Sequence, residues 1–310
     1  MTKMYPLHEL ESRLDGEIKL ISMAPMAQYT TLHLGGPADL LAEPANEKQL
    51  ARLLKEARAL GIPVTLIGHG SNLLVKDGGI RGLVIRICRE MRRIDVQGDT
   101  IRAEAGTMLS ALAMAAAENN LGGLAFASGI PGTVGGGVYM NAGAYGGEMS
   151  QVVTMVEGLT LDGEPFAWNH PEIEFAYRST RLMREKVIVT HVTCQLPGAV
   201  REDLLAEMVE LNRRRAEKQP LTLPSAGSTF KRPVGGYASA LVDECGLKGV
   251  SIGGAQVSEK HAGFLVNRGG TAADFLALIA HVQKVVFEEK GIILEPEVRI
   301  LGEDAPTAAV

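Results

Sequence analysis

Cysteine is scarce in this sequence, and its spacing argues against a metal site and against a disulfide framework. The 310-residue chain contains Cys88, Cys194 and Cys245, and no two of them form a CxxC pair. Because structural zinc sites usually draw on such pairs, the spacing predicts that no metal is bound. Three isolated thiols are typical of a reducing compartment, which predicts a cytoplasmic location.

Long apolar runs and a basic surface are also absent. No apolar run approaches the ~20 residues that cross a bilayer, and residues 1–20 lack the continuous apolar core of a signal peptide. The net charge is −5, and the one basic run, at 213–215, is typical of the solvated face of a helix. These absences predict a soluble protein that binds neither membrane nor nucleic acid, while the oligomeric state stays open.

Glycine, by contrast, is abundant and clustered. Fourteen of the 36 glycines fall in clusters at 35–36, 68–70, 129–147 and 253–254, as expected where a backbone turns tightly or comes close to a partner. Helical segments mixed with short strands, without a regular β-α-β rhythm, predict an α+β protein with two lobes. Pro197-Gly198 marks the predicted boundary. It gives domains at 1–198 and 199–302 and a disordered tail at 303–310.

Hydrophobic periodicity and capping signals predict most of the elements. Helices are predicted at 4–20, 47–60 with Asn46 as N-cap, 107–119, 201–218, 238–245, and 272–290 between Thr271 and Gly291. Strands are predicted at 64–67, 73–75, 83–87, 94–96, 101–105, 152–161, 187–196 and 298–301. The glycine-rich segment 122–147 carries many large apolar side chains, which favours an ordered, functional loop over disorder.

The first glycine loop, at 68–73, follows a predicted strand. It lacks the last glycine and the following helix of a Rossmann loop, and it lacks the Gly-Lys-Ser/Thr of a P-loop. Consecutive small residues still leave backbone N–H groups free to face a phosphate. A plain turn between two strands is the alternative, and it is favoured when this segment is considered alone.

The second glycine loop, at 128–137, continues into 141–146. Two such loops in one domain fit a long ligand with a pyrophosphate at its centre. Glycines retained only for close packing are the alternative. The density of both clusters favours the ligand.

The ordered set of segments resembles the MurB family, the UDP-N-acetylenolpyruvoylglucosamine reductases. Residues 31–38, 68–74 and 129–146 are similar to its FAD-binding half, and 175–179 is similar to its catalytic arginine segment. Residues 224–231 resemble its proton-donor segment. The remaining similar segments are 253–256, 261–264 and the glutamate segment 294–298. The similarity runs in order from about residue 28 to 302.

The resemblance implies a fold, two cofactors and a reaction. The fold is a vanillyl-alcohol-oxidase-type FAD-binding domain, 1–198, with a smaller C-terminal α+β substrate-binding domain, 199–302. Non-covalent FAD and the co-substrate NADPH reduce the enolpyruvyl group of UDP-N-acetylglucosamine enolpyruvate to a lactyl ether. The product, UDP-N-acetylmuramate, serves peptidoglycan synthesis, and through it cell shape and division. With no long insertion after the arginine segment, the chain resembles the shorter subclass, which lacks an extra substrate-covering loop.

The family's binding residues carry over onto matching positions. Substrate contacts fall on Tyr177, Lys218 and Arg232, although the family often has Asn where Arg232 stands, which puts that contact in question. His261 is expected either to face substrate or to pack within its loop. The resemblance places cofactor contacts on Gly68, Gly70, Ser71, Asn72, Leu73, Gly129, Ile130, Pro131, Gly132, Thr133, Gly135, Gly136, Asn141, Gly143 and Ala144.

Three residues are the candidate catalytic groups by resemblance. Arg178 offers a planar fork to the substrate carboxylate, where negative charge develops; a surface ion pair is the alternative. Ser228 is the proton donor, with Ser225 as the nearest rival and a simple turn role as the alternative. Glu297 assists the enolate form and is preferred to Glu295 because it directly precedes the valine of the family segment.

Two other functions stay open from the sequence. One is an FAD oxidase or dehydrogenase that acts on another substrate. The other is a nucleotide-binding module without catalysis. Neither explains why Arg178, Ser228 and Glu297 occur together in family-like segments.

Overall fold

The computed structural model describes residues 5–185 and 187–305, which form two compact units. The first unit contains the chain up to Ile21, Leu40–His69 and Gly82–Arg215; the second contains Ser22–Asp39, Gly70–Arg81 and the chain from Ala216 onward. The predicted domain ranges are continuous and meet at residue 198. The structure differs because short N-terminal segments pair with the C-terminal part of the chain, a long-range contact that no local signal reveals.

Short strands outnumber helices along the chain. The helices are α1 (Leu7–Leu14), α2 (Glu47–Ala59), α3 (Leu109–Glu118), α4 (Val134–Tyr139), α5 (His170–Ile173), α6 (Arg201–Lys218), α7 (Ala238–Glu244) and α8 (Ala272–Lys290). The strands are β1 (Lys19–Pro25), β2 (Pro37–Glu43), β3 (Val64–Ile67), β4 (Leu73–Val75), β5 (Ile80–Arg86), β6 (Ile94–Gln97), β7 (Thr100–Glu104), β8 (Gly143–Ala144), β9 (Gly147–Glu148), β10 (Val153–Thr160), β11 (Pro165–Asn169), β12 (Val187–Gln195), β13 (Ser225–Ser228), β14 (Ser251–Ile252), β15 (Ala255–Val257), β16 (Phe264–Asn267) and β17 (Arg299–Leu301).

A five-stranded antiparallel sheet carries the core of the first unit. Its strand order is β11-β10-β12-β7-β6, and Val192 of β12 lies opposite both Val156 and Ala103. These three side chains are almost fully buried, since alternate residues of a strand face the same side. Helices α3 and α4 contact each other, and α4 packs on β12. The sheet therefore gives the glycine-rich segment around α4 a rigid base.

A second sheet, with strand order β1-β2-β5-β3, leads into the first glycine loop. Its strands β3 and β5 are parallel, and Ile67 lies opposite Arg86. Arg86 and Lys19 both donate to the carboxylate of the buried Glu43. Burial opposes ionisation of Glu43, but these two hydrogen bonds outweigh it and lower the pKa of the carboxyl. The ionised cluster fixes the end of β5 beside the strand that precedes Gly68.

The second unit is built around the antiparallel sheet β13-β16-β15-β14 and the long helix α8. Phe275 of α8 is 1% exposed in the apolar core of this unit. The helix begins with a reciprocal capping box between Thr271 and Asp274, which satisfies N–H groups that would otherwise lack partners. The Asp77 carboxylate accepts from the backbone N–H groups of Ala272 and Ala273, each at 2.9 Å. The helix ends at Lys290 and is capped by Gly291, whose φ is 66°.

Most predicted elements are confirmed, with three differences. The helix predicted at 4–20 ends at Leu14, because Asp15 adopts a left-handed conformation and β1 follows. The segment 122–147 is not all loop, since it contains α4 and the β8–β9 hairpin. At the predicted tail, Glu303 donates to the Gly79 carbonyl at 2.9 Å. Residues 306–310 of that tail lie outside the described residues.

Among the described residues, no helix is both long and apolar enough to cross a membrane. The same part of the chain holds no cluster of three or more His, Cys, Asp or Glu side chains that could bind a metal ion.

Candidate active site

The first glycine loop needs its glycines for close packing within the protein. A Cβ on Gly68 would lie 2.6 Å from the Thr133 hydroxyl oxygen, and one on Gly70 would lie 2.0 Å from the Tyr29 carbonyl oxygen. Gly70 also has φ +76°. Within the described part of the chain, the N–H groups of Gly70 and Ser71 have no backbone acceptor. Small residues with such N–H groups are suited to hold a phosphate oxygen.

The second loop runs into α4. Thr133 caps this helix, since its hydroxyl accepts from Gly136 N at 3.4 Å. A Cβ on Gly135 would lie 2.8 Å from that of Ala105, so glycine lets α4 approach the end of β7. The N–H groups of Gly132 and Thr133 have no backbone acceptor among the residues described. This loop thus offers donors of the same kind as the first.

Several other predicted cofactor positions have roles in the fold itself. Leu73 lies in β4, where it pairs with Arg299. Ile130 donates to the Ala127 carbonyl at 3.1 Å, and Gly143 pairs with Glu148 in the β8–β9 hairpin. Each of these residues pairs or hydrogen-bonds within the protein, and these roles do not depend on a ligand. Their cofactor contacts stay predictions.

Two buried polar atoms beside the second loop lack hydrogen-bond partners. They are the Ser128 hydroxyl oxygen and the Arg215 Nε, both buried and without a partner in the described structure. Buried polar groups nearly always have a partner. Together with the N–H groups of Gly132 and Thr133, they are suited to a phosphate-containing cofactor.

Arg178 lies in the first unit, in a loop held against residues 141–143. Its φ is +50°, and its two terminal nitrogens donate to the carbonyl oxygens of Asn141 and Gly143 at 3.1 and 3.2 Å. These bonds fix one edge of the guanidinium. Tyr177, the predicted substrate contact beside it, is 48% exposed, and its ring centroid lies 5.2 Å from the Arg178 guanidinium carbon.

Asn141 ties the arginine loop in place. It is 1% exposed, its amide nitrogen donates to the Ala176 carbonyl at 3.1 Å, and its amide oxygen accepts from Ser150 N at 3.0 Å. Its φ of +45° is a conformation in which Asn is enriched. The sequence predicts Asn141 as a cofactor ligand. In the structure its side chain is committed to the segment that carries Arg178.

Ser228 lies in the second unit at the end of β13. The pairing of β13 with β16 shifts register between Ser225 and Ser228, and Gly227 between them has φ +76°. A bulge of this kind re-aims the side chain beside it. The Ser228 residue is half-buried, and its neighbour Thr229 is buried.

The glutamate segment contacts the same end of β13. Glu297 N donates to the Thr229 carbonyl at 2.7 Å, and the Asn72 amide donates to the Glu297 carbonyl at 3.1 Å. Glu297 is half-buried. Glu295 is instead 70% exposed in its side chain and pairs with Lys231 at 3.2 Å. Both glutamates thus contact the proton-donor segment: Glu297 lies beside Thr229, one residue from Ser228, whereas the Glu295 carbonyl accepts from Lys231 N at 2.8 Å, three residues from Ser228.

The remaining predicted residues are more peripheral. Lys218 is exposed at the end of α6. Arg232 is exposed, with its guanidinium carbon 4.4 Å from the ring centroid of Tyr237. His261 accepts from Gly263 N at 3.1 Å and packs edge-on against Phe264, and burial lowers its pKa. Its environment is that of the packed loop histidine, the second of the two predicted roles.

Two family models match most of the chain. A model of the FAD binding domain matches residues 38–167, and a model of the UDP-N-acetylenolpyruvoylglucosamine reductase C-terminal domain matches residues 219–301. The reductase of that name from Levilactobacillus brevis is 49% identical and covers 94% of this chain and 95% of its own. A Clostridium botulinum relative is 48% identical, covering 90% and 92%. The Thermus caldophilus reductase crystal structure superposes with a TM-score of 0.79 at 37% identity, covering 92% of this chain and 99% of that one.

The α+β fold and its FAD-binding domain define the protein as an FAD-dependent oxidoreductase. Within that class, the chain belongs to the UDP-N-acetylenolpyruvoylglucosamine reductase family, to which it is related along nearly its full length. The predicted fold class, family, FAD cofactor and enzyme class are confirmed.

Proposed function

We propose that the protein reduces the enolpyruvyl group of UDP-N-acetylglucosamine enolpyruvate with NADPH and forms UDP-N-acetylmuramate. Its membership of the reductase family over 94% of the chain carries this proposal. The product is used for peptidoglycan synthesis, which supports cell shape and division. We place the enzyme in the cytoplasm. The isolated cysteines support that location, since all three are free thiols.

The chain's part in cofactor binding is to present backbone donors. The N–H groups of Gly132 and Thr133, which have no backbone acceptor among the described residues, are suited to the phosphates of FAD. Those of Gly70 and Ser71 in the first loop are donors of the same kind. When bound, FAD supplies the hydride chemistry. His69, in the first loop, is half-buried, and burial lowers its pKa. Its Nδ1 lies 4.0 Å from the Cys88 sulfur, which supports a packing role and a non-covalent flavin.

Arg178 binds the substrate carboxylate. Reduction at C3 of the enolpyruvyl group places negative charge at C2, and this charge is shared with the carboxylate next to it. A fixed, planar cation stabilises that charge best when its orientation is set beforehand. The bonds from Arg178 to the carbonyls of Asn141 and Gly143 provide such orientation.

Ser228 donates the proton to C2, and Glu297 stabilises the enolate form as a hydrogen-bonding partner. The bond from Glu297 N to the Thr229 carbonyl supports this pairing of roles, because it holds the glutamate segment one residue from Ser228. Lys218, Tyr177 and Arg232 contact the UDP-sugar, and the exposure of all three leaves them accessible to it.

The chain also belongs to the shorter subclass within this proposal. Between Arg178 and Ser228 the described residues form a 3₁₀ turn at Arg181–Met183, then β12 and α6. Strand β12 is a central strand of its sheet and α6 packs on the core through Leu204. These elements serve the fold, which leaves closure over substrate to other segments.

An anaerobic spectrum tests the function as a whole. NADPH is expected to bleach the flavin band near ~450 nm, and UDP-N-acetylglucosamine enolpyruvate is expected to restore it. Denaturation should release all of the flavin into solution. A protein that bleaches but is not reoxidised by this substrate would be an FAD enzyme with another substrate. A colourless protein that cannot be reconstituted with FAD would overturn the proposal.

Asn141 is expected to affect the reaction indirectly, through the position of Arg178. Asn141→Asp keeps an acceptor for Ser150 N but removes the donor to the Ala176 carbonyl and adds a charge that competes for Arg178. We expect kcat/KM for the enolpyruvyl substrate to fall by ~10²-fold, since small displacements of a catalytic group have effects of that size. Flavin reduction by NADPH should change little. Rapid-mixing kinetics of the two half-reactions measure both.

The matched control is Asn119→Asp, because Asn119 is exposed and donates only to a carbonyl of its own helix. It should behave as wild type. Equal losses in both half-reactions of Asn141→Asp would point to general structural damage and would remove Asn141 as a positioning residue for Arg178.

A further inference from the structure

The basic run at the end of α6 contains one arginine that differs from its neighbours. Arg213 and Arg214 both pair with Glu210, at 2.8 and 2.7 Å. Arg215 is directed inward instead, with its Nε buried and unbonded. No ion pair is formed by Arg215 within the residues that the structure describes. Burial lowers the pKa of its guanidinium, opposed only by the nearby Tyr145.

Arg215 as a whole is half-buried, and a cation that loses part of its hydration without gaining a counter-ion is costly. Proteins therefore rarely keep one unless an anion meets it. Arg215 has no carboxylate to serve that purpose among the described residues, which favours an anion supplied by a bound molecule.

The position of Arg215 indicates which molecule. A Cβ on Gly129 would lie 3.1 Å from the Arg215 Cδ and 2.3 Å from the Asn212 amide oxygen. Glycine at 129 thus lets the second loop lie directly against α6. Ser128, the residue before Gly129, has a buried hydroxyl that also lacks a partner. Two unsatisfied buried donors therefore belong to residues next to Gly129, the first residue of this loop that is predicted to contact the cofactor.

We propose that Arg215 binds a negatively charged part of FAD, with the Ser128 hydroxyl as a second donor. The charge belongs either to the phosphates or to the flavin ring, which becomes more electron-rich when reduced. The proposal uses only the FAD dependence of the proposed function and not its substrate. A guanidinium suits this role, since it offers several donors in a fixed plane and keeps its charge when buried.

The test compares Arg215→Met with Arg214→Met in the FAD-loaded full-length enzyme. Methionine keeps an apolar stem of similar length but removes the charge, and Arg214 sits one residue away in an exposed ion pair. FAD release is followed by flavin fluorescence as the enzyme is diluted. We expect Arg215→Met to raise the dissociation constant of FAD by ~10- to 100-fold, the range of a lost charged hydrogen bond. Arg214→Met should leave it unchanged.

The midpoint potential of the bound flavin separates the two sources of charge. If Arg215 faces the ring, its removal also makes the potential more negative, because reduction of the ring loses a neighbouring cation. If it faces the phosphates, FAD binds more weakly at an unchanged potential. Either result supports the proposal. Wild-type FAD affinity and wild-type potential in Arg215→Met would overturn it.

Ser128→Ala and Arg215→Lys keep the proposal testable if Arg215→Met does not fold. Both should weaken FAD binding by a smaller factor. Ser128→Ala leaves the Arg215 guanidinium in place, and Arg215→Lys leaves a positive charge at that position. Normal FAD affinity in both would equally exclude the proposed site. The proposed function is tested separately, by reduction of the wild-type enzyme with NADPH and its reoxidation by substrate. The result of that experiment does not depend on the FAD affinity of these variants.

Discussion

Replacement of Ser228 with alanine is expected to lower product formation by at least ~10²- to 10⁴-fold, the usual contribution of a general acid. FAD should remain bound and should still be reduced by NADPH, because that half-reaction needs no proton at C2 of the substrate. Rapid mixing of the reduced variant with the enolpyruvyl substrate measures the slowed step directly. The bulge at Gly227 should persist, since it depends on the backbone rather than on the serine hydroxyl.

Ser225→Ala is the matched control for this experiment. Ser225 lies on the same strand, and the bond that the structure gives it uses its carbonyl, which accepts from the Thr31 hydroxyl at 2.7 Å. The variant should therefore turn over normally. If Ser225→Ala lost activity and Ser228→Ala kept it, the proton donor would be Ser225, the rival that the sequence leaves open.

Replacement of Arg178 with lysine is expected to lower kcat by ~10²- to 10³-fold, the range seen when one group that stabilises a developing anion is removed. A lysine keeps the charge but cannot bind a carboxylate and two backbone carbonyls at once in one plane. The loss should appear in the reoxidation half-reaction. Steady-state kinetics together with single-turnover reoxidation measure it.

Arg181→Lys provides the comparison, because Arg181 lies three residues away with its guanidinium carbon 4.1 Å from the centroid of the Trp168 ring. It should retain near-wild-type turnover. Near-wild-type turnover in Arg178→Lys as well would exclude Arg178 from the substrate carboxylate and favour the surface role considered from the sequence.

Elements with local signals could be predicted almost to the residue. Asn46 caps α2 by accepting from Gln49 N at 3.0 Å, and α8 begins after Thr271 and ends before Gly291, as their sequence signals indicate. Strands β13 to β16 were not predicted. They are two to four residues long, small residues dominate β13, and their pairing joins positions far apart in sequence, such as Ser228 and Phe264.

The candidate site divides in the same way. Glycine clusters and family-like segments point to candidate loops, but the sequence does not show which residues would bind a ligand and which hold the loop. Asn141 illustrates this, since its buried amide serves the Arg178 loop. The interpretation of 213–215 as a solvated face is correct for Arg213 and Arg214 and wrong for Arg215. Successive helix residues point about 100° apart, so three in a row cannot share one face.

The pairing of β4 with β17 has a consequence for the nascent chain. The side-chain amide of Asn72, the residue before β4, donates to the carbonyl of Glu297, 225 residues later. At about 5–20 residues per second, the ribosome needs ~10–45 s to supply that partner. Until then Leu73–Val75 has no β17 to pair with, and an unpaired strand edge invites association with other chains. Translation speed and chaperone access over this interval are therefore expected to influence the yield of the enzyme.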